Sequence, residues 1–562
     1  MLRLPRFFRR RRRNVEIEPD EIFLDASNLP EFDREQFEGR LERPIRRESL
    51  LIAGACIALL VFGYGIRAFN LMVVHGTAYA KQAAENQLEG RVMIASRGTI
   101  TDRKGRELAF NDHTASSTDF TQRQYADFLG LAHTLGYVKP PAKDSKGFYY
   151  RDSYEGIDGI EEVFDEQLKG TNGQILTEVN ARGEVVSQST VREPKEGKKI
   201  TLSLDAEMNQ ALFRAISTRA EQSHFQGASG VVMDLQTGEL LALTSFPEYS
   251  SQALSNGDSE SLAALSADKR QPFLNRAVNG LYAPGSIVKP IVAAAALEEG
   301  VIDETTEILS TGSISIPNPY NPSNPSIFKD WKAHGYVDMR QAIAVSSDVY
   351  FYEVGGGFQS QPGLGIARLD RYFKLFGFEG DPGLTGMSSA VGTIPTPEWK
   401  EKVFDGDPWR VGDTYNTSIG QYGVQITPLQ AVRAIAAVGN GGKLLTPTLL
   451  ASSTPRFTPI PIGQHPLQVA REGMRLAASV GGTAAAVSLP FVNVGGKTGT
   501  AQVGAKNEFM NSWIVGFFPY EHPRYAFAVV LERAPAGTLV GAPAAMSDFF
   551  WWMNANAKEY LQ

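Results

Sequence analysis

Serine and lysine residues at S-x-x-K spacing are the first candidates for chemistry in this chain. This spacing occurs three times, at Ser266/Lys269, Ser286/Lys289 and Ser326/Lys329. On a helix it places a hydroxyl and an amine on one face, where the amine can take the serine proton. Only Ser286 follows Pro-Gly and opens an apolar run. S-x-x-K alone is weak evidence, but Ser286 and Lys289 are the candidates for nucleophile and base, at a helix N-terminus whose N–H groups can stabilise an oxyanion.

Two other short motifs follow along the chain. Lys497-Thr498-Gly499-Thr500 occurs once, on a predicted strand, and its amine and hydroxyls would suit a carboxylate-bearing substrate that approaches closely at the glycine. The rival interpretation as a phosphate loop fails, because that motif needs a glycine where Phe491 stands. Ser346-Ser347-Asp348 is S-x-D, a pattern that Ser117, Ser203 and Ser266 also begin. Only its place between the other two motifs makes Ser346 a candidate.

The surrounding pattern predicts the elements that must position these residues. An early hairpin, central helices and three late strands indicate an α+β fold, with one antiparallel sheet built from both ends of a domain and helices on its faces. The predicted strands are Gly230–Leu235, Glu239–Phe246, Gly496–Val503, Ser512–Phe518 and Tyr525–Glu532. The predicted helices are Ala206–Gln222, Ser286–Glu299, Met339–Val354, Leu364–Phe376 and Pro428–Asn440. Residues 310–335, rich in Pro, Asn and Ser, are predicted to form a surface loop.

The N-terminal part predicts a membrane anchor. Ser49–Ile66 is a charge-free run of 18 residues, or about 27 Å of helix, close to the thickness of a bilayer core. Arginines before this run outnumber the cations after it, which predicts a cytoplasmic N-terminus and an external position for residues 75–562. A buried core helix and a cleaved signal peptide are the alternatives. The predicted domains are an Arg-rich tail (1–48), an anchor (49–74), a mostly β pedestal (75–200) and a catalytic domain (201–562).

Composition excludes several classes of protein. The 562 residues carry a net charge of −7, which argues against nucleic acid as the main partner. Cys56 is the only cysteine, so an intramolecular disulfide and cysteine-based zinc sites are excluded. The seven histidines show no H-x-x-x-H pair, which disfavours a zincin-type site. We expect neither a metal nor a cofactor.

The motif set in this order, at Ser286, Ser346 and Lys497, resembles the penicillin-binding protein and serine β-lactamase superfamily. Three other segments are similar to signatures of the class B penicillin-binding proteins. They are Arg97–Gly105 with the following Leu108-Ala109, Gly156–Glu161, and Thr237–Ala242. The similarity spans residues 68–562.

Within the class, the elongation-type penicillin-binding protein 2 branch is most similar. Asp348 replaces the usual asparagine, as that branch allows, and Ile394–Lys400 and Trp409–Thr414 also resemble it. Two features depart from the family pattern. The usual G-Q-G is Gly420-Gln421-Tyr422-Gly423 here, and the pedestal is short.

The resemblance implies peptidoglycan D,D-transpeptidation through a serine acyl-enzyme during cell-wall elongation. Ser286 would attack the penultimate D-Ala carbonyl, Lys289 would accept its proton, and Lys497 would keep Lys289 neutral by repulsion while relaying protons with Ser346. The N–H groups of Ser286 and Thr500 would form the oxyanion hole. The substrate-binding set implied is Asp348, Thr498, Gly499 and Thr500.

The implied partners are stem peptides ending in D-Ala-D-Ala, β-lactams, and a SEDS-family glycosyltransferase such as RodA in the bacterial cytoplasmic (inner) membrane. Nucleic acid, metal and cofactor are not expected. Three alternatives stay open at this point. They are a septal transpeptidase of the same class, a hydrolase of the superfamily (a β-lactamase or carboxypeptidase), and a non-catalytic membrane scaffold or β-lactam sensor with a vestigial site.

Overall fold

The structure is a computed structural model that describes residues 47–85, 88–112, 119–179, 185–318, 321, 323–385 and 387–562. The chain divides into two compact units, Met1–Leu88 and Glu89–Gln562. The predicted Arg-rich tail lies outside the described residues except for its last two positions.

The N-terminal unit is helical over its described part. Helix α1 (Arg47–Phe69) continues into a π-helical turn at Asn70–Val74, and α2 (Gly76–Glu85) follows. The segment Arg47–Val74 is long and apolar enough to cross a membrane, and none of its most apolar window is buried. A run of Leu, Ile and Ala without proline favours this continuous helix. The segment fits a single-pass membrane anchor.

The first part of the second unit is mostly β, as predicted. Its strands are β1 (Leu88–Met93), β2 (Ile100–Thr101), β3 (Glu107–Asp112), β4 (Gln122–Tyr125), β5 (Val138–Lys139), β6 (Ala142–Lys143), β7 (Tyr149–Arg151), β8 (Glu155–Gly156), β9 (Gly173–Val179), β10 (Val185–Arg192) and β11 (Ile200–Thr201). Its helices are α3 (Ala132–Leu135), α4 (Gly159–Val163) and α5 (Asp165–Leu168). The strand orders are β1-β9-β10, β11-β2-β3-β4, β5-β8 and β6-β7.

A buried charge cluster holds this region together. Arg97 Nε lies 2.5 Å from Glu161 Oε2, and Arg123 Nε lies 2.7 Å from Glu161 Oε1. Burial opposes ionisation of Glu161, but the two guanidinium groups outweigh it and lower the pKa of this carboxyl. A Cβ atom on Gly156 would lie 2.0 Å from Glu161 O, so this position requires glycine. The two pedestal segments that stand out in the sequence therefore form one structural core.

The five-stranded sheet of the catalytic region has the order β13-β12-β22-β21-β20, with antiparallel pairs throughout. Its strands are β12 (Gly227–Asp234), β13 (Leu240–Phe246), β20 (Gly495–Val503), β21 (Phe509–Phe518) and β22 (Tyr525–Pro535). Short two-stranded pairs are formed by β14 (Ile308–Ser310) with β17 (Gly335–Val337), β15 (Ser313–Ile316) with β16 (Ser326–Lys329), and β18 (Lys443–Leu445) with β19 (Phe457–Pro459). This confirms one antiparallel sheet built from both ends of the domain.

Helices cover both faces of this sheet, and further helices pack around them. The helices of this region are α6 (Ala206–Gln222), α7 (Ser251–Ser255), α8 (Ser259–Ala267), α9 (Lys289–Glu298), α10 (Met339–Val345), α11 (Asp348–Gly356), α12 (Gly365–Leu375), α13 (Pro397–Val403), α14 (Val411–Ser418), α15 (Pro428–Gly439), α16 (Gln464–Ala477) and α17 (Ala542–Asn556). Val231 packs into one hydrophobic cluster and the adjacent Val232 into the other, because successive strand residues face opposite sides. One cluster includes α9 and α15, and the other includes α6 and α17.

Two sequence predictions near the site are wrong in detail. Residues 310–335 are not simply a loop, because β15 and β16 and parts of β14 and β17 lie within them. The predicted helix Met339–Val354 is two helices, α10 and α11. Ser346 ends the first in the left-handed conformation (φ 59°), and the Ser347 side chain caps the second by accepting from Tyr350 N.

Candidate active site

Ser286 lies in a tight turn against the edge strand β20. A 3-10 helix at Gly285–Val288 leads directly into α9. The helix predicted from the sequence therefore begins with a 3-10 turn, which is more tightly wound than an α-helical turn. Gly285 has φ +58°, and a Cβ atom there would lie 2.8 Å from Thr500 O. A Cβ atom on Gly499 would lie 2.6 Å from Pro284 O. Glycine at both positions thus lets the serine turn and the strand meet at backbone distance.

The two lysines of the motifs converge on one hydroxyl group. Lys289 Nζ donates to Ser346 Oγ at 3.2 Å, and Lys497 Nζ donates to the same oxygen at 2.9 Å. Both lysines are fully buried. The structure therefore brings together Ser346 and Lys497, which are 151 residues apart in the chain.

Asp348 belongs to this cluster. Its Oδ1 lies 2.6 Å from Lys289 Nζ, which also donates to Ser346 O at 2.8 Å. The sequence assigned Asp348 to substrate binding, whereas the contact found here is a counterion contact to Lys289. A buried ammonium group needs such a partner, because desolvation of an unpaired charge is costly.

The buried Lys497 amine lies in surroundings that disfavour its protonation. Burial, and next the positive charge of Lys289, lower the pKa of Lys497 well below its usual value, against the opposing charge of Asp348. The expectation that Lys497 keeps Lys289 neutral stays a prediction. The two amines around Ser346 can share a single positive charge, so that one is neutral and the other is an ammonium group, because closely coupled groups titrate as a pair.

The remaining motif residues line the same strand. Lys497 Nζ donates to Thr498 O at 2.8 Å, which fixes the lysine side chain along β20. Thr498 is partly exposed and Thr500 is exposed, and no described group makes a side-chain hydrogen bond to either hydroxyl. Ser286 is also partly exposed, and no described side chain bonds to its hydroxyl. These hydroxyls are therefore free to meet a ligand.

The other two S-x-x-K pairs lie elsewhere. Ser266 is in α8, where its hydroxyl donates to Leu262 O at 2.7 Å, and Ser326 is an exposed residue of β16. Among the described residues, neither Lys269 nor Lys329 contacts the Ser346 hydroxyl, whereas Lys289 does. The choice of Ser286 as nucleophile stays a prediction.

Sequence reasoning missed Asp330 and Trp331, whose side chains form hydrogen bonds with the turn around Ser346. Asp330 Oδ2 accepts from Ser347 Oγ at 2.9 Å and from Val349 N at 3.0 Å, and Trp331 Nε1 donates to Ser346 O at 3.3 Å. Burial opposes the ionised form of Asp330, but the backbone N–H donors outweigh it and lower its pKa. No sequence signal reveals this role, because the donors depend on a fold that returns β16 to the start of α11.

Two family models match the chain. The penicillin binding protein transpeptidase domain matches residues 228–547, and the penicillin-binding protein dimerisation domain matches residues 116–202. The first of these covers more than half of the chain.

Curated relatives match over most of their length. The chain is 32% identical over 502 residues to peptidoglycan D,D-transpeptidase MrdA of Haemophilus influenzae, covering 82% of this chain and 74% of the relative. The MrdA protein of Escherichia coli K12 is 30% identical over 601 residues, covering 88% of this chain and 90% of the relative. Peptidoglycan D,D-transpeptidase FtsI of the same organism is 27% identical over 439 residues, covering 76% of this chain and 66% of the relative.

Solved structures of similar proteins share the fold. PBP2 of Pseudomonas aeruginosa in complex with WCK 5153 has a TM-score of 0.69 at 28% identity, covering 84% of this chain and 98% of that one. PBP2 of Helicobacter pylori in complex with MreC has a TM-score of 0.69 at 26% identity, covering 84% and 99%. A chain of a peptidoglycan synthase complex has a TM-score of 0.70 at 25% identity, covering 91% and 98%.

Proposed function

The chain belongs to the class B penicillin-binding proteins, and from this premise we propose that it is an elongation-type peptidoglycan D,D-transpeptidase that works through a serine acyl-enzyme. The observation that carries the assignment is the meeting of two buried amines at the Ser346 hydroxyl, in the domain whose β20 strand abuts the Ser286 turn. This arrangement provides a proton acceptor and a relay around one exposed nucleophile.

In the first half-reaction, Ser286 Oγ attacks the carbonyl carbon of the penultimate D-Ala and its proton passes to Lys289. The low pKa of Lys497 leaves a single charge on the pair, with Lys497 neutral. Both amines contact Ser346 Oγ, so in this proposal a proton moves from Lys289 through that hydroxyl to Lys497, and Lys289 becomes the neutral acceptor. Collapse of the tetrahedral intermediate breaks the C–N bond and releases the terminal D-Ala, whose nitrogen receives a proton through Ser346. An amine of a neighbouring stem peptide then attacks the ester and frees Ser286.

Backbone and hydroxyl groups of β20 complete the site in this proposal. The N–H groups of Ser286 and Thr500 stabilise the oxyanion, and the Thr498 and Thr500 hydroxyls bind the terminal carboxylate beside Gly499. The close approach of β20 to the serine turn supports this geometry. Asp348 acts here mainly through Lys289, as its 2.6 Å contact indicates.

The substrate class, partners and location form part of the same proposal. Stem peptides ending in D-Ala-D-Ala are the donors, and β-lactams acylate Ser286 as mimics of them. The Helicobacter pylori PBP2–MreC complex and the similar chain of a peptidoglycan synthase complex support an assembly with other proteins. We propose that the partner here is a SEDS-family glycosyltransferase of the RodA type. We place the anchor in the bacterial inner membrane with a cytoplasmic N-terminus, as the arginine distribution favours.

The domain boundaries are proposed as 1–48 for the tail, 49–74 for the anchor, 75–200 for the pedestal and 201–562 for the catalytic domain. The two matched family models, at 116–202 and 228–547, support the last two assignments. The elongation role is preferred over a division role because the MrdA relatives are more similar to this chain than FtsI is.

The test is labelling with fluorescent penicillin of the full-length protein, Ser286→Ala and Ser266→Ala, with intact mass followed over time. We expect a lasting adduct on the wild type and on Ser266→Ala, and none on Ser286→Ala. Rapid release of hydrolysed penicillin would instead indicate a hydrolase. Absence of an adduct on folded wild type, in membranes containing its glycosyltransferase partner, would indicate a scaffold or sensor.

A further inference from the structure

Three segments that stand out in the sequence, and that the proposed chemistry does not use, meet in one cluster. They are Ile394–Lys400, Trp409–Thr414 and Gly420–Gly423. The first runs into α13, the second starts α14, and the third is the turn that departs from the family's G-Q-G pattern. Because these three segments pack together, they form one structural unit.

A buried lysine forms the centre of this cluster. Lys400 Nζ lies 2.6 Å from Asp413 Oδ2 and 2.9 Å from Asp407 Oδ2, with only 3% of the lysine side chain exposed. Asp413 Oδ2 also accepts from Arg410 N at 2.7 Å, which caps the start of α14. The ion pairs therefore join α13, the connecting segment and α14 into one rigid unit.

Tyr422 packs onto this unit in a strained backbone conformation. Its φ of +59° lies in the left-handed region that bulky side chains rarely adopt. Its ring centroid lies 6.1 Å from that of Trp399, 6.2 Å from that of Phe404 and 5.8 Å from that of Trp409. Lys400 Nζ lies 5.7 Å from the same ring. Such contacts on several sides fix the ring, and through it the strained turn.

The same turn touches the segment that carries the nucleophile. Gly285 N donates to Gly420 O at 2.9 Å, and a Cβ atom on Gly420 would lie 2.3 Å from Gly285 O. Gly285 precedes Ser286 directly and has φ +58°. A displacement of Gly420 therefore moves the backbone that aims the Ser286 hydroxyl.

We propose that Tyr422 is a positioning residue for Ser286, in which the aromatic ring is locked by Trp399, Phe404 and Trp409 and holds Gly420 against Gly285. The idea rests on the proposed function, since it treats Ser286 as the nucleophile. In this proposal, α13, α14 and the Tyr422 turn together support the backbone that precedes the nucleophile. The ring is the active part, because three aromatic side chains pack against it, whereas the hydroxyl contacts the Lys400 and Asp413 side chains of the ion-pair cluster.

The experiment measures acylation of the full-length protein by a fluorescent penicillin in a stopped-flow instrument. It separates the noncovalent dissociation constant, the acylation rate constant and the final amplitude. The variants are Tyr422→Phe, Tyr422→Ala and Tyr422→Gly. Tyr137→Ala is the matched control, because Tyr137 is also a half-buried tyrosine in an edge contact, 5.8 Å from the Tyr249 ring and remote from the site.

A slower acylation step at unchanged noncovalent affinity is expected for both truncations, by about 10–100-fold, since small misplacements of reacting atoms cost rates of this order. Tyr422→Phe should keep the wild-type rate constant, and so should Tyr137→Ala. Truncation that lowers only the amplitude would mean loss of folded protein and would overturn the proposal. A wild-type acylation rate constant in Tyr422→Gly would also overturn the proposal. The backbone conformation of the turn would then position Ser286 without the aromatic ring. Failure of the proposed function is distinct, since wild type itself would not be acylated.

Discussion

Replacement of Asp348 by asparagine tests the electrostatics of the proposed site. The carboxylate lies 2.6 Å from Lys289 Nζ, with 17% of its side chain exposed. Its charge also raises the pKa of Lys497, against burial and the charge of Lys289. Asparagine keeps the shape and one acceptor oxygen but removes the charge. The ammonium form of the catalytic amine pair then loses stabilisation, so the neutral base forms at lower pH.

The size of this effect can be bounded. A hydrogen bond to a charged group contributes about 1.5–3 kcal/mol, and 1.36 kcal/mol corresponds to one pKa unit. The acid limb of the pH profile of penicillin acylation should therefore move down by about one to two pH units in Asp348→Asn. The sign follows because loss of a neighbouring negative charge always favours the neutral amine.

The assay is the second-order acylation rate constant measured from about pH 5 to about pH 9 for wild type and Asp348→Asn. Asp338→Asn is the matched control, because Asp338 is a carboxylate of the same segment that caps α10 through Gln341 N at 2.8 Å. The acid limb of the pH profile of Asp338→Asn should lie at the same pH as in the wild type. An unchanged limb in Asp348→Asn, or one that moves to higher pH, would refute the idea that this carboxylate sets the charge of the base.

Two further predictions concern buried carboxyl groups outside the site. Glu248 accepts two backbone N–H groups without an ion pair among the described residues, and burial raises its pKa to about 7 from 4.5. Ionisation of Glu248 therefore destabilises the folded protein as the pH rises between these two values. Thermal scans should show that Glu248→Gln is more stable than wild type at pH 8, by up to about 3 kcal/mol, but not at pH 4. A gain in stability that does not depend on pH would contradict this. Glu161→Ala should destabilise the fold by about 3–5 kcal/mol in denaturant titrations, since it removes the carboxylate partner of the buried Arg123 and leaves the buried Arg97 with Asp165 alone. The exposed neighbour variant Glu162→Ala should change stability by less than about 0.5 kcal/mol, and equal effects would refute the role of the pair.

The catalytic sheet and the nucleophile could be predicted from the sequence because their signals are local. Apolar, β-leaning runs on either side of a glycine-bearing turn mark β12 and β13, and Pro-Gly before an apolar run marks Ser286. The order of the three motifs then pointed to Ser346, although its tripeptide is common. These predictions did not depend on knowing how distant segments pack.

The supporting parts could not be predicted because they depend on tertiary contacts. A helical pattern runs through Met339–Val354, yet Ser346 breaks it in a left-handed turn that Asp330 and Trp331 hold in place. The Pro/Asn-rich segment reads as a loop because β15 and β16 are only four residues long each. Likewise, the lowered pKa of Lys497 depends on its burial and on its distance from Lys289, which spacing alone does not give.

The middle position of β22 in the catalytic sheet has a consequence for biosynthesis. Ribosomes make β12 and β13 early, and every residue of both strands is buried in the finished fold. Their neighbour β22 emerges only at Tyr525–Pro535, close to the end of the chain. A growing polypeptide therefore has an unpaired apolar strand edge during about half of its elongation, a state prone to aggregation that chaperones relieve. Because Lys497 also arrives late, an unfinished chain has no assembled centre in which its serine could be prematurely acylated.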